Sequence, residues 1–209
     1  MLGVIRVLTT DDEGVLNEHG RLMAEFVQDP IISKCISDHP NGIYDEATMQ
    51  SSIPKIIELA KQMVDDYPLR AITISCAADP ALSELRQAVD IPVLSAGLCG
   101  VFAAKIAGQK IGVMGITDEA PEQMVAELGD YFHSYAYADS FRKTTSLFSP
   151  DAKQELTELA YRLYEDGADT ILFACTGFST IQLKKHIQDR LDIPIIDLVE
   201  AQAISYSFI

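Results

Sequence analysis

The sequence predicts an α/β protein made of two pseudo-symmetric lobes, each a mostly parallel sheet flanked by helices. Short apolar runs alternate with amphipathic helical segments, and several sequence features recur in the same order roughly 100 residues apart. The 209 residues are 48% hydrophobic, with a mean hydropathy of +0.11, so the chain can fill a substantial core.

The predicted elements follow the hydrophobic periodicity along the chain. Four apolar, β-rich runs are predicted to be strands: Val4–Leu8, Ile72–Ile74, Ile111–Met114 and Ile171–Phe173. Two further strands are predicted at Ile31–Ser37 and Tyr131–Ala138. Apolar residues three and four apart predict helices within Ile53–Val64 and Leu156–Tyr164. This alternation predicts right-handed crossovers between parallel strands.

An internal repeat relates the two halves of the chain. Three pairs of segments match: Ile72–Cys76 with Ile171–Cys175, Asp90–Val93 with Asp192–Ile195, and Ile5–Glu13 with Ile111–Glu119. Their offsets are 99, 102 and 106 residues. The common order and nearly constant offset predict two homologous lobes, each with a strand that ends in cysteine.

Charge and targeting signals narrow the classes of partner. The net charge is −15 and no Lys/Arg cluster stands out, so nucleic acid and anionic membrane are poor partners, whereas a small anionic substrate is not excluded. The sequence contains no recognisable signal peptide and no apolar run long enough to span a bilayer. We therefore expect a cytoplasmic protein with reduced thiols.

Cys76 and Cys175 occupy the equivalent position in each lobe, where a parallel strand ends and ligands usually bind. Asp79 and Pro80 suit the N-cap and first position of a helix that starts just after Cys76. Thr176 or Ser179 is expected to cap the helix after Cys175. Free amides at these helix starts favour a thiolate and a substrate oxygen.

A pseudo-twofold relation between the lobes places the two thiols on opposite sides of one cleft. One thiolate can remove a proton from a carbon acid while the other thiol protonates the opposite face, which inverts the stereocentre. Cys35 and Cys99 have no equivalent in the repeat and are interpreted as structural. The histidines recur at no common position and are predicted to lie at the surface: His19, His39, His133 and His186.

Binding groups are predicted from their positions beside the two thiols. A carboxylate or imide oxygen is expected at the strand-end threonines and the backbone amides that flank the cysteines: Thr10, Ala77, Ala78, Thr117, Thr176 and Gly177. Glu200 begins the last predicted helix and is expected to provide electrostatic support at its N-terminus. The turn-rich segment Pro30–Thr48 is predicted to form a flap near the cleft.

No metal or cofactor is expected. The four cysteines form no CxxC pair, which disfavours zinc and dithiol redox sites. A Rossmann or P-loop glycine signature is also absent from the sequence. The chemistry is therefore assigned to protein thiols and backbone amides alone.

At Ser75–Pro80 and Ala174–Gly177 the sequence resembles the aspartate/glutamate/hydantoin racemase superfamily. Asp-Pro shortly after the first cysteine, and Asp197–Ala201 near the end, look like the hydantoin racemase branch. Ala77-Ala78 and Gly177 stand where glutamate racemases carry Asn-Thr and His, and Thr9–Asp11 replaces the Asn-rich turn common in hydantoin racemases.

This resemblance implies a racemase that needs no pyridoxal phosphate and acts on a small amino-acid-derived or carboxylate substrate. It implies a first lobe of residues 1–98 plus 197–209 and a second lobe of residues 99–196. The short C-terminus after Phe208 is expected to leave apolar surface for a contact between subunits of a homo-oligomer.

Two alternatives to racemisation remain open. One is a maleate isomerase-like cis–trans isomerase that forms a covalent cysteine adduct. The other is a non-catalytic protein that binds a small molecule between its lobes.

Overall fold

The computed structural model describes residues 1–209 and contains two four-stranded parallel sheets. The strands of the first sheet are β1 Leu2–Arg6, β2 Ile31–Cys35, β3 Ala71–Ser75 and β4 Val93–Ser95. The strands of the second are β5 Ile111–Gly115, β6 Phe132–Tyr137, β7 Thr170–Phe173 and β8 Ile195–Ile196. All predicted strands are present, with ends shifted by a few residues.

The two sheets have the same topology. The strand order is β2-β1-β3-β4 in the first and β6-β5-β7-β8 in the second, and every pairing is parallel. The strands β3 and β7, which precede the two cysteines, therefore occupy the same inner position in their sheets. This arrangement confirms the predicted α/β fold of two similar lobes.

Ten α-helices cover the sheets. Those before β5 are α1 Glu13–Leu16, α2 Glu18–Met23, α3 Glu46–Asp66, α4 Leu82–Ala88 and α5 Ala96–Ala107. The others are α6 Glu122–Leu128, α7 Ala152–Glu165, α8 Gly177–Thr180, α9 Leu183–Gln188 and α10 Leu198–Tyr206. None of these helices is long and apolar enough to cross a bilayer.

The C-terminal helix α10 packs beneath the first sheet and against α5. Val199 and Ala203 of α10 share a buried apolar cluster with Leu2 and Val4 of β1. The final segment therefore contributes to the core of the first sheet. The lobe boundaries given above remain a prediction.

Two helix starts differ from the sequence-based expectation. Helix α3 begins seven residues before the periodic pattern, because Asp45 and Thr48 form a reciprocal capping box. Helix α4 begins at Leu82, its N-cap residue Ala81 provides no side-chain hydrogen bond, and Asp79 does not cap it. Asp79 instead accepts hydrogen bonds from the first turn of α5, on a distant segment of the chain.

The prediction of surface histidines is wrong for His19 and His39, which are 1% and 3% exposed. The imidazole of His19 contacts the hydroxyls of Ser75 and Thr180, and that of His39 contacts the carbonyls of Ser37 and Thr48. Tertiary hydrogen-bond partners thus offset the cost of burying these polar rings.

Candidate active site

Cys76 and Cys175 line one cavity of about 540 Å³ where the carboxyl ends of the two sheets face each other. Cys76 directly follows β3, and Cys175 is the second residue after β7. The two cysteines, which occupy equivalent positions in the sequence repeat, therefore lie in the same cavity. Both thiols are free.

Both lobes contribute to the wall of this cavity. The first contributes Val7, Ile43, Tyr44, Asp45, Glu46, Met49, Cys76, Ala77 and Ala78. The second contributes Ile116, Thr117, Asp118, Glu119, Pro121, Thr144, Ala174, Cys175 and Thr176. The volume is suited to a small molecule, and the wall presents both apolar and polar groups to it.

The two cavity thiols are strongly desolvated. Burial, together with the negative charges of Asp79 and of the other cysteine as thiolate, raises the pKa of Cys76 to about 12. Burial also raises the pKa of Cys175, to about 11. Both sulfurs are therefore protonated near neutral pH, and the charge coupling between them favours a state with at most one thiolate.

Backbone amides oppose this effect at each sulfur. The N–H of Ala78 contacts the sulfur of Cys76, and those of Gly177 and Phe178 contact the sulfur of Cys175; all three lower the thiol pKa. The Thr144 hydroxyl is a further hydrogen-bond donor to Cys175. Each cysteine thus has donors that stabilise its thiolate once a reaction forms it.

Gly177 lets the backbone approach Cys175 closely. A Cβ added at Gly177 would lie 3.3 Å from Cys175 Sγ, 2.6 Å from Leu147 Cδ1 and 2.9 Å from Thr144 Cγ2. No side chain fits there without displacing these neighbours. The predicted place of Gly177 beside the second thiol therefore has a steric basis, although Gly177 itself is not part of the cavity wall.

The predicted threonines have different locations. Thr117 lines the cavity, and the Tyr135 hydroxyl fixes it by donating to the Thr117 carbonyl at 2.6 Å. Thr10 is not part of the cavity wall, because its hydroxyl accepts the N–H of Asp12 at 3.1 Å in the turn before α1. Val7 of the same segment lines the cavity instead.

One loop from each lobe lies over the cavity, and the two loops contact each other. The Lys143 ammonium lies 5.1 Å from the centre of the Tyr44 ring, and the Thr145 hydroxyl donates to Asn41 Oδ1 at 3.4 Å. The turn-rich segment before α3 therefore lies at the cleft, as predicted, although its first residues form β2. The lining residue Thr144, which no sequence pattern indicated, comes from the opposing loop.

The charged groups of the cavity wall are all acidic: Asp45, Glu46, Asp118 and Glu119. Two of them have partners, since Asp45 caps α3 and Asp118 forms an ion pair with Arg142 at 3.1 Å. The wall contains no Lys, Arg or His. A substrate carboxylate would therefore depend on backbone amides and hydroxyls for its binding.

The other predicted residues lie outside this cavity. Glu200 is in the first turn of α10, as expected, and its carboxylate forms an ion pair with Lys184. The Cys99 side chain is buried on α5, and Cys35 Sγ is 3.6 Å from the Thr10 carbonyl. Neither cysteine is part of the wall of the cavity formed by Cys76 and Cys175.

The model of the family described as Asp/Glu/Hydantoin racemase matches residues 21–204, nearly the whole chain. The chain belongs to this family. Membership confirms the predicted family and the prediction that this is an isomerase of the racemase type. Both cysteines of the cavity lie within the matched region of this racemase-family chain.

Two curated relatives carry the name hydantoin racemase. The protein from Paenarthrobacter aurescens is 23% identical over 167 residues, which cover 77% of this chain and 68% of the relative. The protein from Pseudomonas sp. (strain NS671) is 27% identical over 165 residues, which cover 76% of this chain and 64% of the relative.

The fold is also that of a solved allantoin racemase from Klebsiella pneumoniae, with a TM-score of 0.81 at 19% identity. The superposition covers 99% of this racemase-family chain and 86% of that protein. The two-lobed architecture is therefore shared over the full length.

Proposed function

We propose that this chain is a cofactor-independent racemase that moves a proton between Cys76, Cys175 and the stereocentre of a small, neutral, hydantoin-like carbon acid. The observation that carries the proposal is that two thiols from equivalent strand ends share one cavity. A single thiol would support exchange of a proton, but inversion needs an acid and a base on opposite faces of the carbon.

The proposed reaction balances with protein groups alone. One cysteine thiolate takes the proton from the stereocentre, and the C–H electron pair remains on the substrate as a planar enolate. The other cysteine thiol donates its proton to the opposite face and becomes the thiolate. The reverse reaction exchanges the two roles. Before another turnover in the same direction, the newly formed thiol loses its proton to solvent and the newly formed thiolate gains one from solvent, which restores the starting state.

The backbone amides beside the thiols are proposed to hold the substrate oxygens. We assign this role to the amides of Ala77 and Thr176, because the N–H groups of Ala78 and Gly177 face the cysteine sulfurs and the Thr117 hydroxyl donates to the Glu119 carbonyl at 2.8 Å. Preorganised N–H donors stabilise a developing enolate most strongly where water is excluded. Thr10 is left out of this set because its hydroxyl is used in the turn before α1.

The acidic wall favours an imide over an anionic substrate. The wall has four carboxylates, of which only Asp118 is ion-paired, and it has no basic side chain, so it disfavours a free carboxylate. A hydantoin ring is neutral. It offers N–H donors to the acidic groups and carbonyl oxygens to the backbone amides. The same argument disfavours maleate, a dicarboxylate. The names of the two curated relatives agree with this choice.

The experiment follows both isotope exchange and chirality. Each enantiomer of 5-methylhydantoin, allantoin and glutamate is incubated with the protein in D₂O. Deuterium at the stereocentre is measured by NMR and optical activity by circular dichroism. We expect exchange and inversion with a hydantoin. Failure of every candidate to exchange would contradict the proposal.

Cysteine variants test the assignment of the two bases. Cys76→Ser and Cys175→Ser should each reduce inversion by roughly 10²–10⁴-fold, the usual contribution of one general acid or base. Cys99→Ser is the matched control, because Cys99 and Cys175 are both 7% exposed and Cys99 does not line the cavity. Normal inversion by either cavity variant would rule out the two-thiol mechanism.

A further inference from the structure

His19 forms a buried polar connection between two distant parts of the chain. It lies on α2 and is 1% exposed. Its Nδ1 is 2.8 Å from the Ser75 hydroxyl oxygen, and its Nε2 is 3.1 Å from the Thr180 hydroxyl oxygen. One aromatic ring thus spans two hydroxyl groups that are 105 residues apart in the sequence.

Both partners of His19 belong to segments that lie close along the chain to a cavity cysteine. Ser75 immediately precedes Cys76, and Thr180 ends α8, whose first residue, Gly177, holds the sulfur of Cys175 through its N–H. A second bond joins the same strand end to the second lobe, since the Thr176 hydroxyl donates to the Ser75 carbonyl at 3.4 Å. The contacts at Ser75 therefore connect the two segments that carry the thiols.

A buried glutamine fixes the direction of the hydrogen bonds at Ser75. Gln202 Nε2 donates to the Ile74 carbonyl at 3.1 Å, so Gln202 Oε1 must be the atom that accepts from the Ser75 hydroxyl. The Ser75 hydroxyl oxygen then accepts a hydrogen bond from His19 Nδ1–H, and His19 Nε2 remains to accept one from the Thr180 hydroxyl. Ser75 and His19 thus each have a hydrogen-bond partner on both sides.

The ring keeps this arrangement because it is neutral. Burial and the nearby Arg6 guanidinium hold the pKa of His19 well below its usual value. A neutral imidazole has one donor and one acceptor nitrogen, which matches one hydroxyl on each side. Its rigid ring fixes the distance between Ser75 and Thr180 better than a flexible side chain would.

We propose that His19 is a positioning residue that sets the separation of the Cys76 and Cys175 sulfurs by joining Ser75 of one lobe to Thr180 of the other. This inference rests on the proposed two-thiol reaction. His19 touches neither the substrate cavity nor the reacting atoms, and it acts through the two segments that carry the cysteines.

Inversion depends more strongly on this separation than isotope exchange does. Exchange with retention needs one thiol, which removes the substrate proton, exchanges it with solvent and returns deuterium to the same face. Inversion needs both sulfurs in reach of one carbon atom. A change in the relative position of the lobes should therefore raise the ratio of retained to inverted deuterated molecules.

Two variants each remove one partner of the hydrogen bond between His19 and Thr180. His19→Asn keeps a polar group near Ser75 but does not reach Thr180, and Thr180→Val removes the hydroxyl with little change in shape. Each should raise the ratio of retention to inversion by about tenfold or more, since small misplacements of reacting groups have large effects on rate. The double variant should show no further increase, because the two residues form one contact.

His39→Asn is the matched control. His39 is also a buried histidine, but its ring contacts only groups of the first lobe, the carbonyls of Ser37 and Thr48 and the hydroxyl of Ser51. This variant should lose stability without changing the ratio. A ratio that rises equally in His39→Asn and His19→Asn would overturn the inference, and so would an unchanged ratio in both His19→Asn and Thr180→Val.

A second measurement separates this inference from the proposed function. Crystal structures of the wild type, His19→Asn and Thr180→Val give the distance between the two sulfurs directly. We expect this distance to change by about 1 Å in the variants, enough to impair a reaction between positioned groups. An unchanged distance overturns the inference even if the wild type racemises hydantoins, and a changed distance supports it even if the substrate proves to be different.

Discussion

Asp79 accepts a hydrogen bond from the backbone N–H of Gly97 at 2.7 Å, and its other carboxylate oxygen accepts from Leu98 at the same distance. The loop after Cys76 is thereby fixed to the first turn of α5. A Cβ added at Gly97 would lie 2.3 Å from the Ala77 carbonyl, so only glycine allows this approach. Burial raises the pKa of Asp79 to about 7.

The Asp79→Asn variant should increase the reactivity of Cys76 and lower stability. Removing a negative charge that raises the Cys76 pKa should speed alkylation by iodoacetamide at pH 8 by about two- to tenfold, equivalent to a pKa change of up to about one unit. The amide offers one acceptor oxygen to two N–H donors, so the free energy of unfolding should fall by about 1–3 kcal/mol. Peptide mass spectrometry and urea unfolding measure the two effects.

Asp197→Asn is the control for this charge effect. Asp197 is a comparably buried carboxylate that caps α10 by accepting from Val199 and Glu200. Its removal should reduce stability but leave the alkylation rate of Cys76 unchanged. A similar increase in alkylation in both variants would show that loosening of the fold, and not charge, exposes the thiol.

The rate of proton transfer should rise with pH through the neutral range. Because burial raises the pKa values of both cysteines, to about 12 and about 11, the thiolate fraction increases about tenfold per pH unit up to pH 10. We therefore expect kcat/KM for a hydantoin to increase with pH, with a slope near one on logarithmic scales between about pH 7 and 9. A plateau below pH 8 would contradict the raised pKa values.

The raised pKa values of the two thiols also make the free energy of unfolding depend on pH. The thiol pKa values in the folded state lie above the unfolded value of about 8.5, so the folded state binds more protons in alkaline solution. The stabilisation is complete below about pH 8 and is lost as the pH rises through the folded values. Urea unfolding of the wild type and of the Cys76→Ser, Cys175→Ser double variant from pH 7 to 10 should show a steeper decline for the wild type.

Gly177→Ala should reduce activity by disturbing Cys175. The added methyl group would clash with Leu147 and Thr144 and press on the sulfur at 3.3 Å. We expect the rate of inversion to fall at least about tenfold, because small displacements of catalytic groups usually lower reaction rates by this much or more. Overpacking should also lower the free energy of unfolding by about 1–3 kcal/mol. Steady-state kinetics and urea unfolding provide the measurements.

Gly112→Ala separates the local effect from general destabilisation. A Cβ at Gly112 would lie 2.9 Å from the Ala168 side chain and 3.2 Å from Leu163, within the core and outside the cavity wall. This variant should be destabilised to a similar degree while its inversion rate per folded molecule stays normal. Equal losses of activity in both variants would contradict the prediction that Gly177 acts through its contact with Cys175.

Local patterns in the sequence were sufficient to predict the strands and the equivalence of the two cysteines. A run such as Ile171–Phe173 is apolar because both faces of a parallel strand are buried, and this requirement is visible within a few residues. The 99-residue offset between Cys76 and Cys175 then predicted two similar lobes, which the identical strand orders of the two sheets confirm.

The sequence did not predict which polar side chains the fold would bury or where they would bind. His19 and His39 were expected at the surface, and Asp79 was expected to cap the helix that follows it. The partners of His19 and Asp79 lie on other segments of the chain, as with His19 and Thr180 or Asp79 and Gly97, whereas His39 contacts the nearby carbonyls of Ser37 and Thr48. Local sequence patterns do not predict such contacts.

The chain alone determined that two cysteines would stand at equivalent strand ends, because strand and turn preferences act between near neighbours. Only the tertiary structure decided what surrounds them: the acidic wall, the loop that brings Thr144 to the cavity, and the His19 connection behind the thiols. These features depend on how the two lobes pack, and that packing is a sum of contacts between residues about 100 positions apart.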